Sequence, residues 1–186
     1  ALTSDEVILQ THAMLTKALA KQLLALRDAI ASYDAEIEAR VAQHQDAPIF
    51  ASLPGAGPNF TARLIAAIGT DRERFEDASS LQCQSGIAPV TDQSGQRRCW
   101  IHRRFARPKF EHQSFVEWAG QTITRSTWAK AYYDEQTKTK GKKRYTALRA
   151  LAFKWQRILF RCWMQRQPYD EARYLEALRR AKSPLV

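Results

Sequence analysis

The chain of 186 residues has only three cysteines, Cys83, Cys99 and Cys162. They form no CxxC pair and no ligand cluster, which argues against a zinc finger or a disulfide scaffold and fits a reducing interior. No apolar run reaches the 18 or so residues of a membrane span. No secretory or lipidation signal is evident, so no membrane is expected and a cytoplasmic location is. Several catalytic signatures are also missing. The stretch GAGPNF lacks the Gly-Lys-Ser/Thr of a Walker A loop. There is no HExxH, and His12, His44, His102 and His112 do not pair with cysteines at zinc-finger spacing. Ser85 and Ser94 each have a single glycine neighbour, so there is no G-x-S-x-G elbow. No metal site is expected from these residues.

What is present is positive charge, unevenly placed. The formal net charge is +10. Residues 1–95 carry 7 Lys and Arg against 12 Asp and Glu, whereas residues 96–186 carry 22 against 7. The excess is therefore a property of the second half. Such asymmetry points to an anionic partner, most often nucleic acid.

The pattern reads as all-α: a long N-terminal helix, then a compact helical domain. Residues 5–44 contain no Gly or Pro, and Thr3 or Ser4 offers an N-cap. Leu23, Leu26, Ile30, Tyr33 and Ile37 are spaced 3, 4, 3, 4, a heptad seam that Val41 continues. About forty helical residues would span roughly 60 Å, which suggests a coiled-coil arm. Three parts are expected: the arm at 1–47, a helical domain at 48–167, and a helix with tail at 168–186. A short helix should close at Ala51 or Ser52. Pro54, Gly55 and Gly57 then make a tight turn before Pro58 opens the next helix. This is the form of a helix-hairpin-helix, whose glycines let backbone N–H groups approach a phosphate. Asp77 or Ser79 should cap a helix ending at Ser85-Gly86. Residues 111–136 read as one helical stretch. A long helix ending near Arg166 before Pro168 and a last helix over 170–181 complete the reading. No convincing strand alternation is visible.

Between the helices lies SGIAPVTDQSGQRRCW, residues 85–100. Six basic residues fall within 97–109, with aromatics interleaved. Serine attack on a phosphodiester needs positive charge around the phosphate, and arginine forks match phosphate bidentately. Ser94, followed by Gly95, Arg97, Arg98, Arg103 and Arg104, supplies those ingredients. Ser94 could equally shape a turn. Ser85 sits where a helix ends. Lys138, Lys140, Lys142 and Lys143 form a second patch, suited to backbone contact rather than base reading. Trp118, Trp128, Trp155 and Trp163 lie in amphipathic segments and read as core.

LPGAGPNFTARLIAAIG followed by RFEDASSLQCQSGIAPVTDQSGQRR resembles the C-terminal transposase domain of the IS110/IS116/IS902 insertion-sequence family, over about residues 50–162. The resemblance implies a site-specific DNA recombinase, in some members guided by a structured RNA. It implies an N-terminal RuvC-like domain with four magnesium-binding acidic residues, joined by a coiled coil to a domain carrying a serine nucleophile. It also implies a dimer or higher oligomer in a bacterial or archaeal cytoplasm, at the nucleoid. Residue by residue, the family's Ser-Gly falls on Ser94 and Gly95, its Gly-x-x-Pro on Gly86 and Pro89, and its glycine hairpin on Pro54, Gly55 and Gly57. Ser85 is not carried over. No stretch long enough for the RuvC-like fold, and no acidic tetrad, precedes residue 50. The chain therefore reads as a piece that needs no cofactor of its own, with Mg2+ expected in the other half. The alternatives are a noncatalytic nucleic-acid-binding and dimerisation module, and a helical scaffold.

Overall fold

The computed structural model describes residues 4–94 and 98–185, with the side chains of Ser94, Arg98 and Cys99 left undescribed. Thr3, Gly95 and Arg97 lie outside the described residues. The chain divides into two compact units, one ending at Arg40 and one beginning at Val41.

The first unit is formed by helix α1 (Glu6–Ala42), with no buried residue along its length. Its cap is Asp5, whose carboxylate accepts the Val7 N–H at 3.0 Å and the Ile8 N–H at 3.3 Å. The expected Ser4 cap gives way to it because a carboxylate also favours the positive end of the helix dipole, and the Thr3 alternative lies outside the described residues. The seam residues Leu23, Leu26, Ile30, Tyr33 and Ile37 are all exposed. Arg40 and Glu36 form an i,i+4 pair at 2.7 Å.

The second unit contains nearly all the packing. Its helices are α2 (Ala47–Ala51), α3 (Pro58–Ile68), α4 (Ala78–Gln84), α5 (Lys109–Thr122), α6 (Thr127–Asp134), α7 (Arg144–Gln165) and α8 (Glu171–Arg180). Helix α7 packs against α5 and α4, and α5 packs against α3. Trp118, Trp128, Trp155 and Trp163 are fully buried, together with Phe50, Phe115, Leu64 and Leu151. The Trp155 ring lies 4.6 Å from that of Trp128 and 5.3 Å from that of Trp118. Each indole N–H has an acceptor, as burial requires. Trp155 donates to the Thr122 hydroxyl, Trp128 to the Tyr169 hydroxyl, Trp118 to the Pro54 carbonyl and Trp163 to Asp46.

Asp77 caps α4 by accepting the Ser80 N–H at 2.7 Å. Gly86 follows that helix at φ +69°. Helix α7 stops at Arg166, in left-handed geometry with φ 52°. Two expectations need correction. The stretch read as one helix over 111–136 is two, because Ser126 caps α6. Its hydroxyl also donates to Glu171 at 2.7 Å, which holds the break in place. Second, an antiparallel pair, β1 (Val90–Ser94) and β2 (Arg98–His102), lies where only loop was expected. Its exposed residues on both strands leave no apolar period for a sequence to display.

Candidate nucleic-acid interface

The hairpin places the serine candidate by register. Ser94 pairs with Arg98, Asp92 with Trp100 and Val90 with His102. Ser94 and Arg98 are thus the last pair before the hairpin tip. At the other end, His102 Nδ1 lies 3.5 Å from an Asp92 carboxylate oxygen. A Ser-His-Asp relay within the hairpin fails on distance. Ser94 lies four positions along the strand from Val90, the partner of His102, about 13 Å. Proton transfer needs about 3 Å or one bridging water.

Below the hairpin the chain gathers cations. The Arg103 guanidinium lies over the Phe105 ring at 4.7 Å. Arg107 donates through Nη1 to the Arg104 carbonyl at 2.7 Å. Its stem covers Gly86, where a Cβ would come within 2.4 Å of the Arg107 Cβ. That approach, with the positive φ, is the reason for glycine at this position. Helix α7 then brings up Arg149, half-buried in the same place. Burial first, then the charges of Arg103 and Arg107, push the Arg149 pKa down. Burial first, then the charge of Arg107 and, more weakly, that of Arg149 hold the His112 imidazole below its ordinary value, against opposing contacts with the Ser85 and Gly86 backbone.

A cavity of about 330 Å³ opens here. Its apolar wall is Ile87, Pro89, Ile101, Tyr132 and Phe153, and Arg103, Lys142 and Arg149 bring positive charge to it. No carboxylate lines it among the described residues. The two basic stretches of the sequence therefore meet in one place, through Arg103 from one and Lys142 from the other.

The lysine patch is otherwise partly engaged. Lys138 pairs with Asp134 at 3.1 Å and Lys140 with Glu135 at 2.7 Å. Lys142 donates to the Gln136 side chain at 2.6 Å, and Lys143 occupies the N-cap position of α7. The glycine turn divides in the same way. Gly55 is buried at φ +76°, where a Cβ would meet the Gln121 Cβ at 3.0 Å. Its missing side chain serves packing against α5 rather than an approach to phosphate. Gly57 is exposed, with open space where a Cβ would stand. Ser85 is fully buried, and its hydroxyl accepts from Gln156 at 2.7 Å. Among the described residues no group of three or more His, Cys, Asp and Glu side chains could hold a metal ion. No helix among them is long and apolar enough to cross a membrane.

Arg149 was not singled out from the sequence. Its signal was one arginine inside the apolar run TALRALAFKW, next to Leu148 and two residues before Leu151. Arg107, Trp100 and Phe105 enter the sequence reading only as part of the basic stretch with interleaved aromatics. The last two are exposed aromatics, at 52% and 67% of their surface.

Residues 47–134 match the family model described as transposase IS116/IS110/IS902 family. The chain belongs to that family. A protein of Streptomyces coelicolor, named for transposition of the IS117 mini-circle, is 34% identical over 145 residues, covering 78% of this chain and 34% of the relative. The 42 kDa protein of insertion element IS900 from Mycobacterium paratuberculosis is 33% identical over 147 residues, covering 77% of this chain and 36% of the relative. The 44.8 kDa protein of IS116 from Streptomyces clavuligerus is 37% identical over 106 residues, covering 55% and 26%. The chain thus spans about a third of the length of the first two of these IS110-family relatives. Within this IS110-family chain, the matched segment holds the glycine turn, the whole hairpin and the arginines at its base.

Proposed function

We propose that this chain handles DNA in an insertion-sequence transposase and that Ser94 attacks a backbone phosphate during strand exchange. The observation that carries the reading is the hairpin. Its last strand pair before the tip contains Ser94, and the segment leaving its base contains cations that no carboxylate neutralises among the described residues. In the proposed step the Ser94 Oγ–P bond forms, the P–O3′ bond breaks, and the departing O3′ takes up a proton. A 3′-hydroxyl of the incoming strand then attacks the phosphoserine, and Ser94 Oγ leaves and regains its proton. Arg97, Arg98 and Arg103 hold the nonbridging oxygens. Arg104, Gly57, Lys142 and Lys143 belong to the surrounding backbone contact, which Lys138 and Lys140 join by exchanging their partners Asp134 and Glu135 for phosphate. The seam of α1 pairs with a second copy. A structured guide RNA, magnesium in a RuvC-like acidic half, and a place at the nucleoid belong to the same proposal.

The test is a covalent adduct between full-length protein and a nicked DNA substrate. Ser94→Ala should abolish it, and an adduct that persists in that variant would sink the assignment. One observation favours a noncatalytic binding module instead: His102, the histidine of the hairpin, lies about 13 Å of strand away from Ser94. On the catalytic reading, the base that activates Ser94 comes from outside the hairpin. On the module reading, Ser94→Ala leaves strand exchange intact.

A further inference from the structure

The cavity at the base of the hairpin does not resemble a surface that lies along a duplex. It is a hollow of about 330 Å³, at the lower end of the range for small-ligand sites, about 300–1,000 Å³. A double helix cannot enter such a space, whereas one base with its sugar and phosphate can. The lining has the two chemistries that one nucleotide presents. Ile101, Tyr132 and Phe153 form an apolar and aromatic wall, and Arg103, Lys142 and Arg149 carry the charge. We propose that this cavity receives a single unpaired nucleotide of the bound strand, its phosphate held by Arg149 and Arg103 and its base laid against Ile101, Tyr132 and Phe153.

Three observations support the assignment. The cations have no carboxylate beside them in the cavity among the described residues, in contrast to Arg63, Arg72, Lys138 and Lys140, each of which has one. Arg149 is half-buried with Arg103 and Arg107 as its charged neighbours, an arrangement that a phosphate would relieve. Ile101 is 71% exposed although it lines the cavity. A large apolar side chain held at the rim of a cationic hollow suits a base, whose face is apolar and whose link is charged. The proposal rests on the reading that the partner is nucleic acid, and not on the chemistry of Ser94.

Equilibrium binding of the chain to three labelled probes tests it: a fully paired duplex, the same duplex with one bulged thymidine, and the same bulge made abasic. The bulged probe should bind about tenfold more tightly than the other two, the scale of one base stacked on protein. Ile101→Ala should reduce that preference to less than about threefold. Arg149→Met should weaken binding of the bulged probe and lower its salt slope by about one. Arg149→Lys should restore most of the slope, which separates lost charge from lost folding. Equal binding of thymidine and abasic bulges would overturn the proposal. So would displacement by thymidine monophosphate as effective as that by the bulged strand, since the site would then be one for free nucleotides. Absence of salt-dependent binding to any probe would sink the nucleic-acid reading with it. The measurement involves no strand transfer, so failure of adduct formation at Ser94 and failure of the bulge preference are separate results.

Discussion

The second unit uses arginine in two opposite ways. Around Trp163, Arg72 is built into the core. Its guanidinium pairs with Asp46 at 2.6 Å, donates to the Trp163 carbonyl at 3.1 Å and lies 5.1 Å from the Trp163 ring centroid. Asp46 in turn accepts the Trp163 indole N–H at 3.2 Å. Below the hairpin, Arg103, Arg107 and Arg149 crowd together, and their charges repel. In the first region an ion pair and its hydrogen bonds join α2, the turn after α3 and the end of α7. In the second, positive charge is held against its own repulsion by the fold around it. Arginine that closes its own hydrogen bonds reads as structure, and arginine left without a counter-charge reads as a place for an anion.

The contrast is broken most strongly at Asp46. Asp46→Ala leaves Arg72 buried without its partner and should cost about 3–5 kcal/mol, read as a lower denaturation midpoint with an unchanged m-value. Arg149→Met is the counterpart in the other region and should leave the midpoint unchanged or raise it, because it removes a repelling charge. A large loss there would erase the distinction. Gly86→Ala should fall between them, at about 1–3 kcal/mol, since the methyl group meets Arg107 and the backbone is left-handed. Gly57→Ser, with open space around it, should change stability by less than about 0.5 kcal/mol. The smallest effect is on pH dependence. His112 binds its proton less readily in the folded chain than in the unfolded one. The unfolded chain then holds more protons below the ordinary histidine value of about 6.5, so stability falls as pH drops from there toward the lower folded value. Melting temperatures at pH 7.5 and 5.5 should differ less in His112→Gln. The lowered carboxylates Asp77, Glu117 and Asp134 act at more acidic pH and do not blur that window.

Helix ends were legible where the signal lies within a few residues. Asp77 caps α4, Ser85-Gly86 closes it, Ser52 closes α2 and α7 ends at Arg166. The hairpin was not legible, because two short strands with exposed residues on both faces have no hydrophobic alternation. The break before α6 depends on Ser126, whose hydroxyl reaches Glu171, 45 residues away. Of the candidate site, Ser94 and Arg103 could be picked from composition and resemblance. That Gly55 is consumed by Gln121, and that Lys138 and Lys140 already have acidic partners, could not.

By itself the sequence determined the predominantly helical character, the long N-terminal helix, the buried tryptophans and the shift from acidic to basic halves. Each follows from periodicity or composition, which act locally or by simple summation. Only the tertiary structure decided which cations are spent on the fold and which remain available. That choice depends on pairs far apart in the chain, such as Asp46 with Arg72 or Arg103 beside Arg149. Coulomb energy is set by distance and burial in space, and sequence separation does not report either.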